Sequence, residues 1–274
     1  MPEGPEIRRA ADALFHVIQD SKLTLVKLDY PPIQSYRRRI VGSKITKIEA
    51  HGKALVTRFD SGLNMYSHNQ LYGLWETTKP DAPYLSRRQL RLELGSDKDC
   101  IRLYSATDIQ FLSDQGLKVH PYLQKLGPDV LESTTTPDDI VDRLTSSRFA
   151  NQTLGSLYLN QHFLAGIGNY LRSEILFRAG LSADLRPRAL SRKAIRNLAK
   201  MTLTISRDSY RQAGVTRRMS EYRADRARGA DFEAARFWVF DRLGQPCYQC
   251  NTAIEIRYQN QRRYYYCNKC QVQN

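Results

Sequence analysis

No stretch of this 274-residue chain is apolar over the ~18–20 residues that a membrane-spanning helix needs, which argues against an integral membrane protein. The first residues, Met1 to Glu6, place acids before any apolar stretch, the reverse of a secretory signal. Cysteine is scarce, and four of the five cysteines lie beyond residue 246. We therefore expect a cytoplasmic protein with reduced thiols and no membrane association.

Negative charge is also in short supply. The chain has 28 Asp and Glu against 42 Lys and Arg, which gives a formal net charge of +14. Its 41% hydrophobic and 26% charged residues are ordinary for a globular protein and argue against disorder or collagen-like repeats. Such an excess of cations favours a polyanionic partner, with nucleic acid first, although an acidic lipid surface or a merely basic protein is compatible with charge alone.

The cysteine spacing predicts a metal site. Cys247 and Cys250 form one C-x-x-C pair, Cys267 and Cys270 form a second, and Cys100 stands alone. Two such pairs can direct four thiolates at one zinc ion, and four protein ligands leave no open position for catalysis. The alternative is two disulfides, which a reduced compartment disfavours.

The segment between the cysteine pairs predicts a β-hairpin. Residues 253–258 and 263–266 alternate and are rich in strand-forming residues, and residues 259–261 suit a turn. A segment this short cannot bury enough surface to fold alone, so the metal would supply most of its stability. Arg262 and Arg263 lie near the tip beside three tyrosines, which suits phosphates and bases or, alternatively, packing of the tyrosines on the main body.

The remaining pattern predicts an α+β protein with several domains. Residues 4–18 carry the apolar stripe of an amphipathic helix. Residues 23–112 consist mostly of short alternating strands, typical of a sandwich or barrel. The clearest strands are 23–28, 44–48, 54–59, 89–94 and 100–104.

The strand pattern stops near residue 125, where we place a domain boundary. Helical patterns follow at 137–146, 152–162, 169–179 and 191–206. Residues 207–230 have many arginines and little apolar periodicity, so we predict a mobile basic loop that could order on DNA. The expected domains are 1–125, 126–240 and 241–274.

Two closely spaced glycines, Gly166 and Gly168, precede Asn169 at a predicted helix start. Glycines let backbone amides approach a phosphate, and a helix N-terminus favours an anion, so phosphate binding is expected at Asn169. A tight corner between helices is the alternative. No strand-first dinucleotide fingerprint is present, and no nucleotide cofactor is expected.

The first residues also carry possible chemistry. Removal of Met1 would leave Pro2 as a secondary amine, and an α-amino group is partly neutral at physiological pH. Its attack on a sugar C1′ gives an iminium ion, the electron sink for elimination of a 3′ phosphate. Glu3 could protonate the ring oxygen or the departing base. Alternatively, these residues simply start a helix with acids at its positive end.

Several motifs follow one another along almost the whole chain. They are Met1–Glu6, His51–Leu55, Ser67–Gly73, Gly127–Asp129, Ala165–Leu176 and the four terminal cysteines. In this order they resemble the motifs of the formamidopyrimidine/endonuclease VIII DNA glycosylases. The Gly4 start and the Gln70-Leu71-Tyr72 triplet resemble the endonuclease VIII branch, which favours oxidised pyrimidines, more than the branch that excises 8-oxoguanine.

The resemblance implies a role for individual residues. Pro2 would be the Schiff-base nucleophile and Glu3 the general acid, Lys53 would assist β-elimination, and Arg262 would assist δ-elimination and grip flanking phosphates. Arg263 follows Arg262 directly and is a second candidate for its role. The gap left by an extruded nucleotide would be filled by Gln70, Leu71 and Tyr72. The DNA backbone would be bound by Lys125 and Asn169.

The fold implied is a β-sandwich, a helix-two-turn-helix domain and a zinc finger with one structural Zn²⁺, with DNA in the cleft between the domains. The function implied is a bifunctional glycosylase and AP lyase that removes oxidised pyrimidines from double-stranded DNA by β,δ-elimination, as a monomer in the bacterial cytosol and nucleoid. The alternatives are a purine-directed member of the same family and a non-enzymatic zinc-ribbon protein that binds DNA.

Overall fold

The computed structural model describes residues 2–259 and 261–271, which divide into two compact units. The first unit contains Pro2 and Glu6–Lys125, and the second contains Glu3–Pro5 and the chain from Leu126 onward. The division after Lys125 lies where the strand pattern of the sequence gives way to helices. Residues 126–240 and the cysteine-rich segment share the second unit, so their separation into two domains stays a prediction.

The first unit contains helix α1 from Glu6 onward and, among its described residues, eight strands in two antiparallel sheets. The elements are α1 (Gly4–Ile18), β1 (Leu25–Leu28), α2 (Arg37–Ile40), β2 (Ile45–His51), β3 (Ala54–Phe59), β4 (Asn64–His68), β5 (Leu74–Thr78), β6 (Leu90–Gly95), β7 (Cys100–Tyr104), β8 (Asp108–Leu112), α3 (Asp114–Lys118) and α4 (Pro121–Gln124). The strand orders are β1-β6-β7-β5 and β2-β3-β4-β8. Every pairing is antiparallel.

One hydrophobic core serves both sheets and α1. The apolar stripe of α1, which includes Ile7 and Leu14, joins Leu94 and Leu103 of one sheet and Met65 of the other in a single buried cluster. Alternate residues of β6, β7 and β8 belong to this cluster, as expected where two sheets pack face to face. The β-sandwich expected from the resemblance is confirmed.

The second unit is mainly helical. Its elements are α5 (Pro137–Thr145), α6 (Leu154–Leu157), α7 (Asn169–Ala179), α8 (Arg192–Arg211), α9 (Met219–Ala227), α10 (Phe232–Arg236), β9 (Glu255–Gln259) and β10 (Arg262–Tyr266). Helix α7 is buried along most of its length and is the central helix of this unit. It ends at Gly180, whose left-handed conformation caps the last turn.

Two sequence predictions were wrong in this unit. Residues 152–162 do not form one helix, since only Leu154–Leu157 are helical. The residues after them form turns, in which the Gln161 side chain donates to the Ile167 carbonyl and accepts from the Gly166 amide. The apolar spacing there reflects the packing of turns. Residues 207–230 are not a loop, because α8 continues to Arg211 and α9 follows. Buried Arg217 holds this region through Asp225 and the Ala235 carbonyl.

The C-terminal hairpin is attached to the helical core. Tyr264 and Tyr266 belong to the core cluster of the helices, whereas Tyr265 packs in a second cluster with Trp238 and cysteines. The alternative in which the tyrosines pack on the main body is therefore confirmed. Among the described residues, no helix has the length and apolar character to cross a membrane.

Candidate active site

The carboxylate of Glu3 lies at the N-terminus of α7. Its Oε2 accepts a hydrogen bond from the Gly168 amide at 2.7 Å and from the Leu171 amide at 3.3 Å, and its Oε1 accepts from the Tyr170 amide at 2.9 Å. The side chain is only 4% exposed. Unpaired amides and the positive end of the helix dipole both favour a carboxylate here. The helix thus fixes a buried acid one residue after Pro2.

Glycine is required where the Glu3 segment meets this helix. A Cβ atom on Gly168 would lie 2.4 Å from the Glu3 carboxyl carbon, and one on Gly4 would lie 2.9 Å from the Gly166 Cα. The Gly4 amide donates to the Gly166 carbonyl at 2.8 Å, and Gly166 has a φ of +95°. Only glycine residues, which have no side chain, allow two backbone segments to approach so closely in these conformations.

This arrangement corrects the expected use of the glycines. We expected the amides at the start of α7 to face a phosphate, but the amides of Gly168, Tyr170 and Leu171 are occupied by Glu3. The glycines therefore admit a segment of the same chain. The Asn169 side chain is half-buried, and its role in phosphate binding stays a prediction.

A second residue of α7, Arg172, links Asn169 to the hairpin. The fully buried guanidinium donates to the Asn169 side-chain oxygen at 3.4 Å and to the carbonyls of Arg263 at 3.0 Å and Arg262 at 3.5 Å. It also donates to the Gly155 carbonyl at 3.1 Å. Burial lowers the pKa of Arg172 to about 10, although the charge of Glu3 opposes this. The guanidinium thus sets the backbone position of the hairpin arginines.

Helix α7 carries a second buried carboxylate, Glu174. It accepts hydrogen bonds from the backbone amides of Trp238, Val239 and Phe240 and from the Thr216 hydroxyl. Burial raises its pKa, although these hydrogen bonds oppose the change. Glu174 therefore fastens the chain that leads from the helices into the cysteine-rich hairpin.

In the first unit, Lys53 lies in the turn between β2 and β3. Its side chain is 8% exposed, and its amide donates to the Tyr122 hydroxyl at 3.1 Å. Burial lowers the pKa of nearby His68, and the positive charge of Lys53 lowers it further, while Asp108 opposes both. Lys53 is therefore not the ordinary solvated lysine of a strand edge that the sequence alone allowed.

The loop between β4 and β5 presents the predicted Gln70-Leu71-Tyr72 triplet. Leu71 is 57% exposed and Tyr72 is 69% exposed, so the alternative of a core leucine is wrong. The backbone is held in place: Gln70 has a φ of +51°, its amide donates to His68 Nδ1 at 2.8 Å, and its side-chain oxygen accepts from the Thr107 hydroxyl at 2.6 Å.

The same loop is braced from the opposite side by Arg88. Its guanidinium donates to the Tyr72 carbonyl at 2.6 Å. The connection between β5 and β6, which carries Arg88, is itself anchored by the fully buried Arg102. Arg102 donates to the carbonyls of Pro80 and Ala82 and pairs with Glu93 at 2.7 Å. Two apolar side chains are thus exposed on a rigid backbone.

The other predicted DNA contacts are exposed cations. Lys125 lies at the C-terminal end of α4, and Arg262 and Arg263 begin β10. All three are exposed. Because successive strand residues point to opposite faces, Arg262 and Arg263 face different sides of the hairpin. Asn260, in the predicted turn, lies outside the described residues.

The four terminal cysteines come together as predicted. Their sulfur atoms all lie within 4.8 Å of one another, with 3.8 Å between Cys247 and Cys270 and 3.4 Å between Cys250 and Cys267. Tetrahedral ligation with Zn–S bonds of about 2.3 Å would separate two sulfurs by about 3.8 Å. The cluster can hold a metal ion.

Sequence reasoning missed the residues that hold the site together. Arg172 and Glu174 lie inside a recognised motif but received no role, and Arg88 lies outside every motif. Their partners are mostly backbone groups distant in sequence, so spacing gives no signal for them. The one signal in the sequence was the presence of Arg172 and Glu174 in a largely apolar helix. Charged residues are rarely buried without partners, so their presence there indicates buried contacts.

Comparison with known proteins agrees with this geometry. Residues 1–107 match the formamidopyrimidine-DNA glycosylase N-terminal domain, and residues 126–220 match the formamidopyrimidine-DNA glycosylase H2TH domain. Endonuclease 8 of Escherichia coli O17:K52:H18 is 43% identical over 271 residues, which cover 99% of this chain and all of the relative. Endonuclease 8 of Shigella sonnei is 42% identical with the same coverage.

Solved structures share the fold. A complex of Lactococcus lactis Fpg with DNA that contains an abasic site aligns with a TM-score of 0.81 at 19% identity, covering 99% of this chain and 100% of that one. MutM in complex with DNA that contains carbocyclic 8-oxo-G aligns with a TM-score of 0.82 at 20% identity and the same coverage. At such identities the likeness shows the fold.

These findings decide between the classes of function that the sequence left open. The alternative of a non-enzymatic zinc-ribbon protein is wrong, because both enzyme domains match and the full-length relatives are enzymes. The chain belongs to the formamidopyrimidine-DNA glycosylase and endonuclease VIII family, and it is a DNA glycosylase and AP lyase that acts on damaged bases.

Proposed function

We propose that this enzyme removes oxidised pyrimidines from double-stranded DNA and cleaves the strand by β,δ-elimination. The observation that carries the proposal is the Glu3 carboxylate, buried at the N-terminus of α7 directly after Pro2. The preference for pyrimidines is supported by the 43% identity to Endonuclease 8 and by the exposed Gln70-Leu71-Tyr72 loop.

Pro2 is the proposed nucleophile once Met1 has been removed. Its nitrogen lone pair forms a bond to C1′ of the damaged nucleotide as the bond from C1′ to the base breaks. The base leaves with the electron pair of that bond and takes a proton from water. The nitrogen then loses its proton, the bond from C1′ to O4′ breaks, and a protonated O4′ and an iminium ion remain. The iminium ion accepts the electron pair of the C2′–H bond when a base removes the 2′ proton, which gives an enamine. The enamine then expels the 3′ phosphate, which leaves with the electron pair of the C3′–O3′ bond.

Glu3 is suited to move the proton in this sequence. Three amide donors stabilise its ionised form, so the carboxylate can accept the proton that the Pro2 nitrogen loses. It can then deliver that proton to O4′, which is the acid role inferred from the sequence. The backbone amides remain fixed throughout, so the carboxylate needs no rearrangement between the two steps.

The remaining roles concern elimination and DNA binding. Lys53 would assist β-elimination, and Arg262 would assist δ-elimination and hold the phosphates beside the lesion. Gln70, Leu71 and Tyr72 would fill the gap left by the extruded nucleotide, because an unstacked hole is costly. Lys125 and Asn169 would bind the backbone, Lys125 as a point charge.

We also propose that the cysteine cluster holds one structural Zn²⁺. The sulfur separations fit tetrahedral ligation, and the four thiolates would leave the ion no open position. The ion would tie the two ends of the hairpin together and keep Arg262 at a fixed position. The enzyme would act as a monomer without a nucleotide cofactor.

Trapping with borohydride tests the covalent step. Reduction of the iminium ion should join the protein to lesion-containing DNA, and mass spectrometry of the peptide should place the adduct on Pro2. Undamaged duplex of the same sequence is the control. An active protein that forms no adduct, or that retains Met1 while fully active, would contradict the mechanism.

A comparison of lesions tests the substrate class. Single-turnover excision from duplexes that carry thymine glycol should be faster than from matched duplexes that carry 8-oxoguanine. Faster excision of the purine would instead support the alternative of a purine-directed family member.

A further inference from the structure

A long segment of the second unit carries positive charge and no acid. Between Asp184 and Asp208 there is no Asp or Glu, whereas Lys and Arg occur seven times. Four of these cations lie in the first nine residues of α8, and all four are exposed. We call them the α8 basic stripe: Arg192, Lys193, Arg196 and Lys200.

The stripe lies on one face of the helix. Arg192, Arg196 and Lys200 are four residues apart, so they follow one another along the same side over about 12 Å. The opposite side of α8, which includes Ile195 and Leu198, is buried in the core. Within the described residues, the structure gives these four side chains no ion pair and no hydrogen bond.

This placement works against the stability of the helix. The first turn of α8 contains two cations and no acid, although the positive end of a helix dipole disfavours cations. Arg192 and Arg196, and Arg196 and Lys200, are like-charged pairs at a spacing where such pairs repel. The stripe has no internal partner that offsets this cost, so a partner outside the chain explains it better than folding does.

The stripe also lies far from the Glu3 site along the helix. The Tyr170 hydroxyl, near the start of α7, bonds to the Ser209 hydroxyl at 2.9 Å. At the other end, the Asn197 side chain donates to the Ala179 carbonyl at 3.3 Å. The two helices are therefore antiparallel, and about 14–26 Å of α8 separate Ser209 from the stripe. The catalytic role of Glu3 does not account for it.

We propose that the α8 basic stripe binds the phosphate backbone of a second DNA duplex while the Glu3 end of the unit holds the first. The proposal rests on the proposed action on double-stranded DNA. A duplex carries one negative charge per about 1.7 Å of its axis, so a 12 Å row of cations faces several phosphates. The stripe gives the enzyme a route to pass directly from one DNA segment to another without a free intermediate.

Two variants with equal loss of charge test the proposal. The stripe variant carries Arg192→Gln, Lys193→Gln, Arg196→Gln and Lys200→Gln. The control variant carries Lys22→Gln, Arg38→Gln, Lys44→Gln and Lys98→Gln, which are exposed cations of the first unit. Both lower the net charge by four, so a difference between them reports position rather than total charge.

The measurement is the dissociation rate of enzyme from a short labelled duplex with a tetrahydrofuran abasic analogue, as unlabelled undamaged duplex is added. For wild type and control we expect the rate to rise several-fold with competitor concentration, because a second duplex binds before the first leaves. For the stripe variant the rate should stay constant. The affinity for the second duplex should also depend less on salt in the stripe variant than in wild type. The slope of log K against log salt concentration should be smaller in magnitude by about three to four, since four phosphate contacts are lost.

Three results would overturn the proposal: a wild-type rate independent of competitor, a stripe variant that keeps the dependence, or a control variant that loses it equally. The stripe variant should also melt at a higher temperature than wild type, which a purely structural role of the cations excludes. Single-turnover excision and borohydride trapping should be unchanged in it. Failure of those two assays in wild type would instead contradict the proposed function.

Discussion

The Glu3 carboxylate accepts a hydrogen bond from the backbone amide of Tyr170 at 2.9 Å, across 167 residues of sequence. The contact joins the first residues of the chain to the central helix of the second unit. Glu3–Pro5 belong to that unit. Glu3 follows directly after Pro2, the proposed nucleophile, so these hydrogen bonds fix the residue to which the nucleophile is covalently joined.

Glu3→Gln should abolish base release and retain DNA binding. The amide cannot act as a proton carrier, so we expect single-turnover excision to fall by about 10²–10⁴-fold. Its NH₂ group would also face a backbone donor, which should lower the free energy of unfolding by about 1–3 kcal/mol. Glu6→Gln, which changes a nearby acid that pairs with Arg9 at 3.4 Å, is the control. Normal base release by Glu3→Gln would remove Glu3 from the mechanism.

Arg88→Ala should disturb the loop that carries Leu71. Loss of the hydrogen bond to the Tyr72 carbonyl costs about 0.5–1.5 kcal/mol, so excision should slow by up to about tenfold. The fluorescence of 2-aminopurine placed opposite the lesion reports whether the loop enters the duplex, and its rise should be smaller in the variant. Arg87→Ala removes the same charge from the neighbouring exposed residue. Equal effects of the two variants would show that charge, not the brace, matters.

The free energy of unfolding of the first unit should fall in acid, because His68 stabilises the unit only in its neutral form. Its Nδ1 accepts from the Gln70 amide, which requires an unprotonated nitrogen, and burial lowers the pKa of His68 below 6.5. Because the folded-state pKa is lower than the unfolded value, the stabilisation is complete above pH 6.5 and is lost as the pH falls through the folded-state pKa.

This pH dependence can be measured by urea unfolding at pH values from about 5 to 8. His68→Asn keeps an acceptor for the Gln70 amide but does not titrate, so its stability should fall less in acid than that of wild type. Burial also lowers the pKa of His120, and this residue stays unchanged in both proteins. Identical pH profiles would contradict a role for His68 in holding the loop.

Arg262→Ala should weaken DNA binding and leave more product at the β-elimination stage. Arg263→Ala should have a smaller effect, because consecutive strand residues face opposite sides of the hairpin and only one side can meet the phosphates. Electrophoresis separates the products of β- and δ-elimination. The reverse order of effects would transfer the role to Arg263.

Removal of the metal should disorder the hairpin and abolish strand cleavage. Trp238 packs in the same cluster as Cys247 and Tyr265, so its fluorescence should shift to longer wavelength when a chelator is added. Trp75→Phe removes the only other tryptophan and isolates this signal. Added Zn²⁺ should restore both fluorescence and activity, and a chelated protein that still cleaves DNA would contradict the structural role.

Much of the fold was predictable because it rests on local patterns. The amphipathic stripe of α1, the alternating strands and the paired cysteines each carry their own signal in a short window of sequence. Helix 169–179 was predicted with its observed bounds, since glycines flank it on both sides. The helix predicted at 152–162 failed, because its apolar spacing is also compatible with packed turns.

By itself, the sequence determined the class of chemistry, the cysteine cluster and the succession of strands and helices. Only the tertiary structure decided that the amides of α7 hold Glu3, that Arg88 braces the loop of Leu71, and that residues 207–230 are folded around Arg217. The physical reason is that these contacts join a charged side chain to backbone groups far away in the chain. Nearly every residue has the same backbone donor and acceptor, so the pattern of side chains does not indicate which backbone groups a charged side chain far away in the sequence will bond.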